Sequence, residues 1–327
     1  MTSPLRTVLV GAGLIGRKRA LQLPAAFSLV GIFDLNHDAA LALANDLEMS
    51  PSIASSLDEL FQLSPEVVII ATTHQTLPVI ALKALSANCH ILIEKPGANE
   101  LQPLRDLQLL AKEKQRIIHI GYNHRFHPAF RKAAELMRDH QFGNLLWIRA
   151  RYGHGGRLGY EKEWRANRAI SGGGELLDQG SHLIDLTRML VGDVRLAYSK
   201  LQTSFWKMDV EDNAFLALEP NSGGLAWLHA SWTEWKNTFS FEITLETAKI
   251  DIQGLGGSYG LERLTLFSMQ PEMGPPPSDT WEWDATDDSW RDELNDFYEA
   301  ICGNSSIGAT IDDAIAVHQI VEEAYQK

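Results

Sequence analysis

Cysteine is nearly absent: Cys89 and Cys302 are the only two in 327 residues, and they lie far apart in the chain. A disulfide framework is thereby excluded as the source of the fold, and a reducing compartment is implied. No apolar run approaches the roughly 18 residues that a membrane span needs. The opening Met1-Thr2-Ser3-Pro4-Leu5-Arg6 lacks the charged-then-apolar order of a secretory leader. The expected location is cytoplasmic, with no membrane partner. Positive charge is scarce, with 29 Lys and Arg against 42 Asp and Glu and a formal net charge of −13. Phosphate backbones demand a basic surface, so nucleic acid is not an expected partner. No low-complexity tract interrupts the chain, and its length exceeds the ~250 residues at which single cores stop growing. Two folded domains are expected.

What is present begins with an alternation of apolar β-type and helix-type segments over residues 1–122. Strands are expected at 6–10, 28–33, 67–71, 90–94 and 117–121, with helices at 14–23, 38–47, 77–86 and 102–114. Ser56-Leu57-Asp58-Glu59 has the spacing of a capping box and predicts a short helix. Val67-Val68-Ile69-Ile70-Ala71 is apolar throughout, as a strand covered by helices on both faces must be. Strands separated by helices predict right-handed βαβ units, hence an α/β chain with an N-terminal doubly wound parallel sheet.

The first turn of that sheet reads Gly11-Ala12-Gly13-Leu14-Ile15-Gly16, a G-x-G-x-x-G between a strand and a helix. Gly11 permits the tight turn, Gly13 lets the backbone approach a pyrophosphate, and Gly16 lets the helix lie close to the strand. Unpaired N–H groups and the positive end of the helix dipole then favour an anion there. Asp34 closes the second strand 18 residues past Gly16. A carboxylate at this place accepts hydrogen bonds from ribose hydroxyls and repels a 2′-phosphate, which favours NAD over NADP. Arg17, Lys18 and Arg19 form a basic cluster that keeps NADP as the alternative. Residues 1–122 therefore read as a dinucleotide-binding Rossmann domain.

Glu94-Lys95-Pro96 follows the 90–94 strand, Gly121-Tyr122-Asn123-His124-Arg125-Phe126 follows later, and Gly172-Gly173-Gly174 opens a run ending at Asp185. With the glycine turn, and in this order, these motifs resemble the Gfo/Idh/MocA oxidoreductases (glucose–fructose oxidoreductase, inositol dehydrogenase, rhizopine catabolism). The resemblance spans essentially the whole chain. It implies a second α/β domain over 123–327 with a large, mostly antiparallel sheet that carries the substrate. It also implies a homodimer or homotetramer, and a last helix that packs back on the first domain. Lys95 is implied to lie beside the nicotinamide, and Asp178 and His182 to be catalytic. Two positions depart from the family's pattern. Arg19 stands where histidine is common, and Thr72-Thr73-His74-Gln75-Thr76-Leu77 ends in leucine where histidine often occurs. Candidate cofactor contacts are Gly11, Gly13, Leu14, Ile15, Gly16, Asp34, Thr72, His74, Glu94 and Lys95.

Asp178, His182 and Asp185 are spaced by four and three residues, so on a helix they share one face. The expected chemistry is proton-coupled hydride transfer. His182 takes the substrate's hydroxyl proton while the carbinol hydride moves to NAD, Lys95 stabilises charge on the same oxygen, and Asp178 orients substrate or imidazole. Histidine suits the task because its unperturbed pKa is about 6.5. The same spacing would allow a metal site, but no fourth ligand is nominated and no metal is expected. Residues 149–168 carry six basic side chains (Arg149, Arg151, Arg157, Lys162, Arg165, Arg168) against only Glu161 and Glu163. Such a loop either clamps an anionic substrate, making a nucleotide-linked sugar favoured, or is a solvated loop with scattered ion pairs. Candidate substrate contacts are Asn123, Arg125, Arg157, Trp164, Arg165 and Asp185.

All nine tryptophans lie from Trp147 onward, most of them expected in sheet core or subunit interface. Strands are expected at 225–232 and 239–245, and closing helices at 290–302 and 311–326. The leading function is NAD(P)-dependent dehydrogenation or reduction of a sugar-type secondary alcohol or ketone. The alternatives are an NAD-dependent glycosidase of the same fold and a non-enzymatic NAD-binding redox sensor.

Overall fold

The computed structural model describes residues 3–284 and 286–327, which divide into two units: 3–123 with 288–315, and 124–287 with 316–327. The first unit opens with β1 (Leu5–Val10), α1 (Leu14–Leu21), β2 (Phe27–Phe33), α2 (His37–Asn45), β3 (Ser52–Ile53) and α3 (Leu57–Gln62). It continues through β4 (Val67–Ile70), α4 (Leu77–Ser86), β5 (His90–Glu94), α5 (Leu101–Lys114) and β6 (Ile118–Gly121). Local chemistry sets the helix starts. The Asn36 side chain accepts from Ala39 N at the head of α2. Ser56 Oγ accepts from Glu59 N at the head of α3, 3.2 Å away. The return arm of that capping box reaches one residue further back than the motif implies, since Glu59 Oε2 accepts from the N and Oγ of Ser55.

The second unit holds α6 (Pro128–Met137), β7 (Leu145–Gly153), α7 (Arg168–Ser171), α8 (Ser181–Val191), β8 (Val194–Gln202), β9 (Asn213–Pro220) and β10 (Leu225–Ser231). Then follow β11 (Thr238–Leu245), β12 (Ala248–Gln253), β13 (Glu262–Ser268) and β14 (Ser278–Trp283). The chain ends with α9 (Ser289–Ile301), β15 (Ala309–Thr310) and α10 (Ile311–Gln326).

The first sheet runs β15-β6-β5-β4-β1-β2-β3. Six strands are parallel, and only the short β15 pairs antiparallel, against β6. The strand order reverses beside β1, which puts the glycine turn at the switch point where such sheets bind ligands. Residues 288–315, expected with the second domain, belong to the first unit instead. The reason is packing: Leu294 and Phe297 of α9 join Leu9, Phe27, Ile32 and Ile69 in one buried cluster. The last helix contributes 311–315 to the first unit and 316–326 to the second.

The second sheet runs β14-β13-β12-β11-β7-β10-β9-β8 and is antiparallel except for the β7–β10 pair. Its strands alternate between a covered and an open face. Ile148, Ala150, Phe239, Phe241, Ile243, Ile250, Ile252 and Leu264 are buried on one side, while Arg149 and Arg151 point to the other. The buried face receives α8, all of whose residues from Ser181 to Thr187 are buried.

Candidate active site

In the first unit the three glycines of the turn differ in what surrounds them. Gly11 has φ +98°, and a Cβ there would lie 2.3 Å from the Ala71 carbonyl oxygen. A Cβ on Gly16 would fall 1.8 Å from the Gly11 carbonyl oxygen, so α1 can approach β1 only because the residue has no side chain. Gly13 meets nothing within 4 Å, which leaves the face above the turn open. Gly13 is also the N-cap of α1, and no side chain caps that end. The N–H groups of the first turn thus have the arrangement that suits a phosphate. Leu14 is largely exposed and Ile15 half-buried beside it. Asp34 lies at the edge of the same face. Its carboxylate accepts from Ala12 N at 2.6 Å and from Asn36 N at 2.7 Å, and the side chain is half-buried. The residues present therefore fit a dinucleotide with an unsubstituted ribose.

The basic cluster beside the turn is turned to other uses. Arg17 pairs with Asp46, and Lys18 lies 5.2 Å from the centre of the Trp290 ring. Arg19 is fully buried, with Nε and Nη2 each 2.7 Å from Glu94 Oε1, Nη1 on Glu293, and its guanidinium 4.6 Å from the Trp290 ring. Burial opposes the charge on Arg19, but the carboxylates of Glu293 and Glu94 outweigh it and hold the guanidinium protonated beyond its usual range. The expectation that the cluster could serve a 2′-phosphate is corrected on this point. Glu94, expected at the cofactor, is buried and its carboxylate is bonded to Arg19. Lys95, next in the chain, is half-buried at the end of β5, where the peptide to Pro96 is cis. After β4, Thr72 is half-buried and accepts from Thr76 Oγ1 at 2.8 Å, whereas His74 is buried. Asn123, expected to touch substrate, is buried and donates to Ser289 Oγ at 2.8 Å.

In the second unit the glycine run fixes the entry to α8. A Cβ on Gly173 would collide with the Tyr325 hydroxyl at 2.0 Å, and one on Gly174 with the Glu211 carbonyl oxygen at 2.1 Å. Glu211 Oε1 collects the N–H groups of Gly174 and Leu176 and the hydroxyl of Tyr325, at 3.1, 3.0 and 2.8 Å. Burial nevertheless raises the Glu211 pKa, against the hydrogen bonds that favour its charge. Residues Leu176–Gly180 form a π-helical turn rather than the plain helix expected, and α8 starts only at Ser181. Such turns alter which residues share a face and occur often at functional sites.

Around this turn Asp178 is 8% exposed and accepts from Arg165 Nε at 3.1 Å. The Arg165 guanidinium lies 4.5 Å from the Trp164 ring. Asp178 raises the Arg165 pKa against the effect of burial. His182 is buried, with its ring centre 3.8 Å from that of His124 and 6.2 Å from that of Tyr152. Tyr152 packs edge-on against Tyr259 at 5.0 Å, and Tyr259 accepts from Gln179 Nε2 at 2.9 Å. Burial lifts the Tyr152 hydroxyl far above its ordinary pKa and pushes that of Tyr259 up to about 12, so both stay neutral donors. Tyr152, Tyr259, His124 and Gln179 were not among the sequence candidates. The covered-face alternation of β7 was a signal for Tyr152; for Tyr259, in a loop, there was none.

Asp185 does not share an open face with Asp178 and His182. It is fully buried and bidentate with Arg125, Nε to Oδ2 at 2.9 Å and Nη2 to Oδ1 at 2.5 Å. Both residues were expected at the substrate; the structure pairs them with each other, because a buried guanidinium needs a carboxylate partner. The basic segment is dispersed in the same way. Arg149 is bidentate with Glu242, Arg157 pairs with Glu163, Arg165 with Asp178, and Arg168 lies over the Tyr325 ring. Three of the six basic side chains, Arg149, Arg157 and Arg165, thus face carboxylates, as the reading of scattered ion pairs expects. Among the described residues, no three His, Cys, Asp or Glu side chains gather where they could hold a metal ion.

Residues 5–122 match the family model described as an oxidoreductase family with an NAD-binding Rossmann fold, and 130–251 match the GFO/IDH/MocA C-terminal domain. The UDP-N-acetylglucosamine 3-dehydrogenase of Acidithiobacillus ferrooxidans is 30% identical over 233 residues, 69% of this chain and 67% of that protein. The chain belongs to the Gfo/Idh/MocA oxidoreductase family. Its relatives also include the D-glucoside 3-dehydrogenase of Escherichia coli K12, 26% identical over 71% of each chain. The solved levoglucosan dehydrogenase in complex with NADH superposes with a TM-score of 0.87 at 22% identity, covering 99% of this chain and 97% of that one. That likeness shows a shared fold: a parallel Rossmann-type sheet and a mostly antiparallel one.

Proposed function

We propose that the chain catalyses NAD-dependent hydride transfer at a secondary alcohol of a sugar-type substrate, with the ketone as the oxidised partner. The observation that carries this reading is the open face above Gly13 with the Asp34 carboxylate at its edge. When bound, NAD supplies the carbon that takes the hydride. His182 accepts the hydroxyl proton, Lys95 stabilises the charge that develops on the carbinol oxygen, and Asp178, steadied by Arg165, orients the reacting group. Tyr152 and Tyr259 remain protonated and act as neutral donors near His182.

Asp34 disfavours a 2′-phosphate, and Arg17 and Arg19 are engaged with carboxylates, so the cofactor is NAD rather than NADP. The substrate is a sugar or sugar derivative, free or nucleotide-linked. A nucleotide-linked sugar is supported by the UDP-N-acetylglucosamine 3-dehydrogenase among the chain's relatives. We further propose a homo-oligomer formed through the open face of the second sheet, where Tyr198 stacks on Trp227 and Leu225 is exposed. A cytoplasmic location is in keeping with two free cysteines; no helix among the described residues is long and apolar enough to cross a membrane.

The test is NADH formation across free sugars, cyclitols, glycosides, sugar acids and nucleotide-linked sugars, run beside Lys95→Ala and His182→Ala. Each variant should lower turnover by about 10²–10⁴-fold. Turnover confined to nucleotide-linked sugars would narrow the substrate class to them. Tight NADH binding with no turnover on any substrate would replace the dehydrogenase with net-redox-neutral glycoside cleavage or NAD sensing.

A further inference from the structure

We propose that Arg19 and Glu293 are positioning residues for Lys95, acting through Glu94; the inference rests on the reading of Lys95 as the lysine that acts on the carbinol oxygen. Four elements of the first unit meet at one buried guanidinium: α1 supplies Arg19, β5 supplies Glu94, α9 supplies Glu293 and Trp290, and β6 supplies room. The room comes from Gly121, which faces Glu94 across the β5–β6 ladder. A Cβ on Gly121 would lie 2.7 Å from Arg19 Nη2 and 3.0 Å from Glu94 Cδ. Any side chain there would displace the ion group.

A buried cluster of this kind stabilises a protein no better than apolar packing of equal volume. What a guanidinium does supply is direction, because its planar fork bonds carboxylates in only a few geometries. Arg19 places both Nε and Nη2 on the same Glu94 oxygen, fixing the last side chain of β5. Lys95 is the next residue and leaves the sheet from that point. The stacked Trp290 closes the face of the guanidinium, and Glu293 holds its remaining nitrogen. Two carboxylates thus share one cation. Removing the charge of Glu94 would leave Arg19 to Glu293 and release the strand end that carries Lys95.

The experiment is a double-mutant cycle on the full chain with Glu94→Gln, Lys95→Ala and the pair together. The readouts are kcat by NADH formation, NADH affinity by fluorescence, and circular dichroism for folding. Glu94→Gln should lower kcat by about 10–100-fold and leave the NADH Kd within about twofold. In the Lys95→Ala background, followed over hours to resolve slow turnover, the same change should alter kcat by less than about twofold, because its route of action is gone. Unchanged kcat in a folded Glu94→Gln protein would overturn the proposal, as would losses that multiply in the double variant. Should Glu94→Gln fail to fold, Glu293→Gln enters the same cycle, with an expected loss of about 3–10-fold that again vanishes beside Lys95→Ala. Wild-type protein that binds NADH and oxidises none of the panel would instead overturn the role of Lys95 itself, and is seen before any variant is made.

Discussion

Gly13 and Gly16 lie three residues apart, yet their loss should be felt in opposite ways. Alanine at 13 meets open space, so Gly13→Ala should fold with an unchanged melting temperature and bind NADH at least about tenfold more weakly, measured by fluorescence titration. Alanine at 16 would put Cβ 1.8 Å from the Gly11 carbonyl, so Gly16→Ala should cost stability outright, by about 2 kcal/mol or more in urea unfolding. Asp34 gives a third residue-scale outcome. Its exchange for serine removes the charge that opposes a 2′-phosphate and should raise NADPH affinity relative to NADH, read as the ratio of the two dissociation constants. The glycine roles could be read from the sequence because strand, turn and helix are consecutive. The fate of Arg19 could not, since its partners Glu94 and Glu293 lie far along the chain and nothing local signals them.

At the scale of elements, the Glu211 carboxylate holds the entry to the π-helical turn before α8. Tyr325→Phe removes one of the donors to Glu211 and should lower stability by about 1 kcal/mol, measured by chemical unfolding. Because that turn carries Asp178, kcat should fall further than this modest destabilisation would suggest. The two-residue strands β3 and β15 of the first unit were not legible, but its longer helices and strands were, to within a residue or two, with α4 and β5 at the expected bounds. Their periodicity and caps are local properties. The π turn was not legible, because a glycine run followed by apolar residues reads as an ordinary helix start. Nor was the pairing of Arg125 with Asp185, which turned two candidate substrate contacts into a buried strut.

For the whole molecule, acid should be destabilising well before the carboxylates titrate. Burial, with Arg116 nearby, holds His90 down to about 4, and burial with Arg151 does the same to His229. Both values lie below that of an unfolded chain, about 6.5, so the unfolded state binds more protons between these limits. The stability from keeping these rings neutral is complete above pH 6.5 and is lost as pH falls toward 4. The urea midpoint should therefore drop steadily from pH 7 to pH 4.5, and His229→Asn should flatten that slope. The two-sheet plan was legible in the whole, since alternation and motif order pointed to it. The return of 288–315 to the first unit was not, because an amphipathic helix does not declare which sheet it will cover.

That return has a consequence for how the protein is made. A ribosome releases the six parallel strands long before α9, and until then Leu9, Phe27, Ile32 and Ile69 wait for Leu294 and Phe297. The nascent first unit must keep an apolar patch open while the entire second sheet is synthesised. Chaperone capture during translation should accordingly concentrate on this interval, and it should end as residues 289–301 emerge.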